Sequence, residues 1–588
     1  MEDMVLLLLT NCIMLPISVL FSALLLLLLY LSSLKPKGYP PGPKWWPIIG
    51  CAIEVARIRK KTKYLHKACS WLSEKYGPVI GLKIGVDQIV VLNSFESIKS
   101  MLIDERCDGR PIGPFYEART FGKRLGVLVT DGALWLEHRR FILRHLRDFG
   151  FGKNNMAAMI EEEAMYLVDN LIKRMENSTN IKENNFSYNN NINIINNNNM
   201  RNDGRIYQLV SQNIKKKSIE NWDSISNILK PENSTKCMKI EDMYMKAEDY
   251  AEVRKVAQST QMIVQMDEVF GVPILNTLWR MMAGKRFNQD DKKLNHLQKI
   301  LTTLLIDLDM IGCLFGHFPI LRFIAPETSG YKKFMETHRE LWAFLNEELN
   351  EHKQTFDPSM PKDLMDAYLK ILQLESYDKT FSESQLLAIC VDLFVAGSET
   401  TTKALNFGFL YLVLYPEVQQ KAQEEIDRVI GRNRLPTLSD RPRMPYVNAI
   451  SLESLRMFMG RTLNVPHRTM TDANIMGYRI PKDTMIVANF NKVLMDESWS
   501  DPEVFRPERF IDPEGNISLP NQYIPFSIGK HRCMGEVLAK SNIFVFIATL
   551  LQAFTFSPPS IEETPTTEYT DGVTASPLPF KVLLTKRS

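Results

Sequence analysis

The segment Phe526-Ser-Ile-Gly-Lys-His-Arg-Cys-Met-Gly535 decides the interpretation of this chain, and an apolar stretch follows it at once. The stretch from Gly535 to Ala553 predicts a helix, so Cys533 comes just before a helix begins. The positive end of the helix dipole and nearby backbone N–H groups favour a thiolate at such a position. The glycines permit a tight bend beneath a flat cofactor. A free cysteine is more often a small buried hydrophobe than a ligand, so the rest of the chain has to decide between the two.

A second segment, Ala396-Gly-Ser-Glu-Thr-Thr401, lies midway along an apolar run that predicts a long helix from Glu383 to about Tyr415, ended by Pro416. Glycine, serine and threonine are poor helix formers, so their presence indicates that something approaches the helix backbone closely here. The alternative is that the Ser and Thr hydroxyls bond back to carbonyl oxygens of their own helix. The residues alone leave both interpretations open.

Two charged segments lie between that helix and Cys533. Glu453 and Arg456 are three residues apart and share one face of a helix predicted around Tyr446 to Met459. Exposed Glu/Arg pairs with this spacing are common, so the pair alone indicates little. Phe505-Arg-Pro-Glu-Arg-Phe510 follows further along the chain.

In this order, the segments resemble those of the cytochrome P-450 family, whose cysteine loop reads F-x-x-G-x-R-x-C-x-G and whose acid/threonine helix carries A-G-x-[D/E]-T-T. The resemblance implies that Cys533 is the axial thiolate ligand of the iron in haem b, with Phe526 also at the haem site. It implies that Glu399 relays protons from water and that Thr400 hydrogen-bonds the oxygen that is being reduced.

The same resemblance assigns supporting roles. Glu453, Arg456 and Arg509 would form a buried, fully hydrogen-bonded triad with a structural role. One position departs from the family pattern, because His531 stands where the family usually has an arginine that contacts a haem propionate. Histidine can still donate a hydrogen bond, so we expect His531 at the cofactor.

Further haem-binding candidates lie earlier in the chain and depend on the resemblance, since a lone Arg or His is usually a solvated or satisfied group. Trp135 and Arg139 match the family's W-x-x-x-R pair, which binds a propionate. Arg110, in Asp-Gly-Arg-Pro, and His467, in Val-Pro-His-Arg, align with further propionate donors.

The N-terminus predicts a membrane anchor. Met4 to Leu31 is almost uninterrupted apolar sequence, long enough to cross a bilayer. A cleaved signal peptide usually has a shorter apolar core and a basic start, whereas this chain begins Met1-Glu2-Asp3. We expect a retained anchor over residues 1–34, a proline-rich hinge over 35–50 and a catalytic domain over 51–588. Lysines follow the span, so the positive-inside rule places that domain in the cytoplasm, and the resemblance implies the endoplasmic reticulum membrane.

The composition changes abruptly between about 177 and 238, where asparagine dominates. Such a polar tract cannot bury enough apolar surface to offset its chain entropy, so we predict a disordered insertion. A retained intron in the gene model is the alternative, because AT-rich codons encode Asn, Ile, Lys and Tyr. We expect its deletion to leave the haem content unchanged.

The rest of the pattern predicts a mainly α-helical domain with a smaller β region. Helices are predicted at Tyr64–Tyr76, Ala133–Leu146, Met156–Met175, Val272–Met282, Leu297–Leu308 and Thr337–His352, and strands at Val79–Ile84, Gln88–Leu92, Ile475–Ile480 and Thr484–Asn489. We expect substrate contacts from Ile112 to Leu125 and from residues near Val465.

The resemblance implies a haem-thiolate monooxygenase that inserts one oxygen atom from O2 into a lipophilic substrate, either a hormone-like steroid or terpenoid or a xenobiotic. Electrons would come from NADPH through a cytochrome P-450 reductase, with cytochrome b5 as a second candidate donor. The resemblance is strongest to insect microsomal members, in particular the family numbered 303, through Arg139–His145, His317–Phe323 and Gly397–Thr401. The alternatives are a haem-thiolate isomerase or dehydratase and a non-enzymatic haem carrier or sensor. The intact acid/threonine pair argues against both.

Bulk properties exclude other classes. The formal net charge of +3 and the scattered basic residues give no indication of a nucleic-acid partner. Eight cysteines without a Cys-x-x-Cys pair argue against a disulfide framework or a cysteine-based zinc site. Some basic residues would either dock an acidic reductase surface or form an ordinary solvated face. These residues are Arg140, Arg144, Arg147, Lys530 and Lys540.

Overall fold

The computed structural model describes residues 19–20, 22–188, 261–289, 291–307, 311–374 and 380–587 of the chain. Over these ranges the protein is mainly helical with a smaller portion of strand, which confirms the predicted fold class. A larger apolar core lies among the helices and a smaller one surrounds a four-stranded sheet.

The helices are α1 Ala52–Thr62, α2 Leu65–Tyr76, α3 Phe95–Ile103, α4 Pro114–Ala118, α5 Gly132–Asp148, α6 Asn154–Tyr188, α7 Gly271–Ala283, α8 Lys292–Asp307, α9 Leu314–His317, α10 Leu321–Ile324, α11 Tyr331–Thr355, α12 Leu364–Leu372, α13 Glu383–Leu414, α14 Pro416–Val429, α15 Pro445–Met459, α16 Asn491–Leu494 and α17 Glu536–Ala553. Short 3-10 turns lie at Glu105–Cys107, Met266–Glu268, Leu438–Arg443, Glu497–Trp499 and Pro507–Phe510.

The strands are β1 Val79–Ile84, β2 Asp87–Leu92, β3 Gln261–Gln265, β4 His467–Arg468, β5 Ala473–Ile475, β6 Tyr478–Ile480, β7 Met485–Ala488, β8 Phe554–Ser557, β9 Tyr569–Thr570, β10 Ser576–Pro577 and β11 Lys581–Lys586. The four-stranded sheet has the order β1-β2-β7-β4, and a three-stranded sheet has the order β3-β11-β8. β1 and β2 form an antiparallel hairpin in which Val79 pairs with Leu92, and β2 runs parallel to β7. β5 pairs with β6 and β9 with β10.

Helix α13 is the central element of the larger core. Ser382 caps its start by accepting a hydrogen bond from the Gln385 N–H at 3.1 Å, and the predicted stop at Pro416 holds. Most of its side chains are buried, and it packs against α7, α15 and α17. The helix therefore carries its polar segment into the middle of the protein.

Helix α15 carries two members of the predicted structural triad, Glu453 and Arg456. The Glu453 carboxylate accepts hydrogen bonds from Arg456 at 2.7 and 2.8 Å and from Arg509 at 3.1 Å. Neither Glu453 nor Arg456 is exposed, and Arg456 also donates to the carbonyl oxygens of Leu494 and Pro502. The triad joins α15 to the segments around α16 and Pro507–Phe510, as the sequence predicts.

The Asn-rich tract lies only partly within the described residues. Helix α6 continues to Tyr188, so the prediction that order ends near Asn177 is wrong for the residues up to that point. Residues 189–238, which hold the rest of the predicted insertion, lie outside the described part of the chain.

An apolar helical segment, Ser22–Ser32, precedes α1, and residues 1–18 and 21 of the predicted anchor lie outside the described part. Within that part, α17 is the helix long and apolar enough to cross a membrane, but 72% of it is buried inside the protein. By its burial, α17 is a core helix.

Exposed apolar side chains gather where three segments meet. The Val86 N–H donates to the carbonyl oxygen of His317 at 3.0 Å, and the adjacent Gly85 N–H donates to that of Ile49 at 3.3 Å. Each apolar side chain around this junction is at least 60% exposed. We call this surface the apolar patch and define it as Ile48, Val86, Ile320, Phe323 and Ile324.

Candidate functional site

A cavity of about 310 Å³ lies between α13 and the loop that precedes α17. Every site residue predicted from the sequence lines it except Glu399. The predicted residues that line the cavity are Arg110, Trp135, Arg139, Thr400, His467, Phe526, His531 and Cys533. Segments that are far apart in the chain therefore converge at one place.

The backbone of the cysteine loop is tightly folded. The Cys533 N–H donates to the carbonyl oxygen of Phe526 at 3.0 Å, and Ser527 and Gly529 both have positive φ angles, of 61° and 78°. A Cβ atom at Gly529 would lie 2.0 Å from the carbonyl oxygen of Leu102, at the end of α3. This glycine is therefore required both by its backbone conformation and by the close approach of α3.

Cys533 is accessible because it faces the cavity, although protein surrounds it on its other sides. Burial raises the pKa of its thiol above the ordinary value, and a hydrogen bond from the Gly535 N–H opposes this without reversing it. The Gly535 N–H is one of the backbone groups expected to favour the thiolate at this helix start, while burial acts in the opposite direction. A bound metal ion deprotonates a coordinating thiol outright, so the site still suits a thiolate ligand.

The polar segment of α13 forms part of the cavity wall. Thr400 Oγ1 donates to the carbonyl oxygen of Ala396 at 2.7 Å, and α13 runs through this segment without interruption. A Cβ atom at Gly397 would lie 2.5 Å from Leu278 Cδ2 of α7. Both interpretations of the segment are therefore realised: hydroxyls bond back to the helix, and the group that approaches its backbone closely is a leucine of α7.

Glu399 points away from the cavity. It is 5% exposed, and its Oε1 atom accepts a hydrogen bond from Thr302 of α8 at 3.1 Å. Its Oε2 atom lies 3.7 Å from Lys403 Nζ, one turn further along α13. Glu399 and Thr400 are neighbours in the chain, but their side chains face different surroundings.

Two arginines supply positive charge to the cavity. Arg110 donates to the carbonyl oxygens of Val465 and Pro466 at 3.1 and 2.9 Å, while its buried Nε has no hydrogen-bond partner. Burial lowers the pKa of Arg110 to about 10, so it remains a cation at neutral pH. The Arg139 guanidinium lies 5.3 Å from the Trp135 ring centroid and donates to the Arg532 carbonyl oxygen at 2.6 Å.

The two predicted histidines already use a ring N–H. His531 Nε2 lies 2.8 Å from the carbonyl oxygen of Asp108, and His467 Nδ1 lies 2.8 Å from that of Cys107, so each nitrogen donates. Burial lowers the pKa of His531 to about 3 and that of His467 well below its ordinary value. A neutral ring has a single donor. A propionate contact would therefore require either ring to turn or to take up a second proton.

Sequence reasoning missed a buried ion pair at the cavity wall. Asp392, one turn before Ala396, is paired with Arg119 and accepts hydrogen bonds from the N–H groups of Val127 and Leu128 at 2.6 and 2.8 Å. The sequence feature that could have predicted this ion pair is the lone acid within the apolar run of α13, since a buried charge needs a partner.

The residues held by Asp392 follow the predicted substrate segment in the chain. Val127 and Leu128 line the cavity, whereas no residue from Ile112 to Leu125 does. The ion pair between Arg119 and Asp392 holds that segment against α13, and its contacts with a substrate stay a prediction. Val465 lines the cavity as predicted.

The comparisons with known proteins agree with this arrangement. The family model described as Cytochrome P-450 matches residues 40–258 and 216–584 of the chain. The chain belongs to the cytochrome P-450 family. This cytochrome P-450 is 37% identical to Probable cytochrome P-450 303a1 of Drosophila melanogaster, over 96% of the chain and 98% of that protein. It is 33% identical to Farnesoate epoxidase of Bombyx mori (96% and 97%) and 31% identical to Cytochrome P-450 2L1 of Panulirus argus (95% and 97%).

Membership makes this cytochrome P-450 an oxidoreductase of the haem-thiolate monooxygenase type, and the site fits the cofactor that the family implies. The sulfur of Cys533 is open to the cavity, so it would be able to bind the haem iron. The buried, unpartnered Nε of Arg110 is a donor that a propionate oxygen would satisfy. Arg139 offers a second cation at the same end of the cavity.

Proposed function

We propose that the chain binds haem b through Cys533 and inserts one oxygen atom from O2 into a lipophilic substrate, with electrons from NADPH delivered by a reductase. The observation that carries the proposal is that Cys533 and the Thr400 segment of α13 line one cavity. When bound, thiolate-ligated haem supplies the oxygen activation, because the thiolate pushes electron density to the iron and favours O–O cleavage.

The residues of the chain bind the cofactor, position the oxygen and supply the protons. Arg110 and Arg139 would hold the propionates, and the Gly535 N–H would hydrogen-bond the ligand sulfur. Thr400 presents a hydroxyl at the cavity wall, where it positions the oxygen to be protonated, and Glu399 supplies protons from behind that wall. Phe526 and the other apolar residues of the lining exclude water.

The substrate is a lipophilic, hormone-like terpenoid or steroid in preference to a xenobiotic. The wall around the α13 segment is largely apolar, formed by Val127, Leu128, Leu278, Leu393 and Ala396. The single acid on that wall, Asp392, is already paired and hydrogen-bonded, so it offers no binding site for a cation. A relative with 33% identity is named for its action on farnesoate, a terpenoid.

The redox partner is an NADPH-dependent cytochrome P-450 reductase, with cytochrome b5 as a second donor. The five basic residues predicted to dock the reductase fall into two groups, those that are paired with a carboxylate and those that are not. Lys530 pairs with Glu105 at 2.6 Å and Lys540 with Glu536 at 2.7 Å, so acids of the same surface neutralise both. Within the described part of the chain, no carboxylate lies within ion-pair distance of the three arginines, so these would meet an acidic partner. They are Arg140, Arg144 and Arg147.

We further propose that residues 1–34 anchor the protein in the endoplasmic reticulum membrane, with residues 51–588 on the cytoplasmic side. The apolar helix Ser22–Ser32 is exposed along most of its length, as a lipid-facing segment would be in a protein without its membrane. Residues 35–50 form the hinge, and the lysines that follow the span accord with a cytoplasmic domain.

The test is reconstitution of the full chain with reductase, NADPH and a library of lipophilic compounds that includes farnesoate. We expect compound-dependent high-spin shifts in the haem spectrum and NADPH-dependent formation of an oxygenated product. Conversion of a peroxide substrate without NADPH would indicate an isomerase or dehydratase. Haem binding with no turnover of any compound would indicate a carrier or sensor. Either result would contradict the proposal.

A further inference from the structure

The environment of Glu399 contains a feature that proton relay alone does not require. Lys403 is buried on the same helix, 6% exposed, with its Nζ atom 3.7 Å from the Glu399 carboxylate. A buried ion pair costs desolvation of both charges, and well-packed apolar residues in its place are often equally stable or more stable. Stability therefore does not explain the lysine.

Polar groups continue along the same face of α13. Glu399, Thr402, Lys403 and Asn406 are spaced three and four residues apart, so they share one helix face. We call these four residues the polar stripe. The Oε2 atom of Glu399, the Oγ1 atom of Thr402 and the Oδ1 atom of Asn406 are buried without a hydrogen-bond partner. Buried polar atoms of this kind are usually satisfied by water, so the polar stripe has the composition of a hydrated path.

The polar stripe begins beside the cavity. Thr400 lines the cavity, and Glu399 is its neighbour in the chain, with a side chain turned by about 100° around the helix. The Glu399 carboxylate is held on one side by the Thr302 hydroxyl and on the other by Lys403. Without the ammonium group, this buried carboxylate would lose the cation that lies beside it.

We infer that Lys403 is a positioning residue that holds the Glu399 carboxylate in place at the head of the polar stripe, so that Glu399 can pass protons from buried water to the Thr400 side of the cavity. In each transfer the carboxylate gains a proton from a water of the stripe, and the new O–H bond then breaks as the proton moves on. Solvent restores the water. The inference rests on the proposed monooxygenase function, which supplies the electrons and the oxygen that consume the protons.

The first test measures the ion pair without activity. Urea unfolding of the full chain in detergent would compare Lys403→Met, Glu399→Gln, the double variant and wild type. Each single variant leaves one buried group without its partner, so we expect both to lower the unfolding midpoint and the double variant to recover part of the loss. Losses that simply add would show that the two side chains are not coupled and would overturn the inference.

The second test measures proton delivery with reductase, NADPH and farnesoate as the probe. We expect Lys403→Met and Glu399→Gln each to slow NADPH oxidation by about 10²-fold at unchanged haem content, and to enlarge the effect of replacing H2O by D2O. Because the two residues act as a unit, the double variant should be no slower than either single one. Lys403→Arg, which keeps the positive charge, should retain most of the rate.

Lys353→Met is the matched control. Lys353 pairs with Glu383, the first residue of α13, at 2.7 Å, but both side chains are partly exposed, so neither measurement should change. A normal rate and isotope effect in Lys403→Met, with coupled unfolding, would make the pair purely structural and overturn the inference. Absence of NADPH oxidation and of a thiolate spectrum in wild type would instead remove the proposed function, and the inference with it, while the unfolding data would still report the ion pair.

Discussion

Arg456→Met tests the buried triad of α15. Arg456 gives both Glu453 oxygens a hydrogen bond, at 2.7 and 2.8 Å, and binds two backbone carbonyl oxygens as well. Neither side chain is exposed, so the substitution leaves the Glu453 carboxylate with Arg509 as its remaining cation. Removing one partner of a buried pair costs about 3–5 kcal/mol. Whole proteins are stable by only about 5–15 kcal/mol, so the loss should be a large fraction of the total.

Urea unfolding followed by far-ultraviolet circular dichroism measures the loss, and Arg479→Met is the matched control. Arg479 lies 2.7 Å from Asp472, the same distance as in the buried pair, but these side chains are 60% and 47% exposed. An exposed pair contributes about 0–1 kcal/mol. We expect a far larger decrease in the unfolding midpoint for Arg456→Met, together with a lower haem content. Equal decreases in the two variants would refute the argument from burial.

Three further outcomes are expected. Cys533→Ala should abolish the red-shifted Soret band of the reduced, CO-bound protein, and a retained band would mean that another residue is the ligand. Thr400→Ala should keep that band while lowering the product formed per NADPH and raising hydrogen peroxide release, a measurable loss because acid–base positioning is worth about 10²–10⁴-fold in rate. Thr401→Ala, about 100° around the helix, should do much less, and equal effects of the two substitutions would mean that the relay is assigned to the wrong residue. Gly529→Ala should prevent stable haem loading because its Cβ would lie 2.0 Å from a backbone oxygen. Gly477→Ala, which is also at positive φ but faces open space, should fold. Similar behaviour of the two variants on thermal unfolding would contradict the steric argument.

The sequence predicted best those elements that have local signals. The long helix was expected from Glu383 to about Tyr415 and runs to Leu414, because a continuous apolar run ends at a proline. Strand β3 was missed, since Val264 is its single buried residue and it is stabilised by pairing with β11 near the other end of the chain. Pairing between distant segments leaves no local pattern.

In the candidate site, too, local motifs were predicted and contacts between distant segments were not. The family motif identified Cys533 and Thr400, both of which line the cavity. It did not show that Glu399 turns towards Thr302, because the direction of a side chain on a helix depends on which neighbours pack against it. Nor did it show that His531 donates its N–H to the backbone carbonyl of Asp108, because the two residues are far apart in the sequence.

The apolar patch has a practical consequence for handling the protein. Its five side chains belong to the folded domain, at the hinge, the β1–β2 turn and the region of α10, and each is at least 60% exposed. A version truncated before the hinge would keep all of them. Since exposed apolar surface of this kind promotes self-association, we expect that version to elute as aggregates in size-exclusion chromatography without detergent. Polar substitutions at Phe323 and Ile324, added to the truncation, should shift the elution towards the monomer.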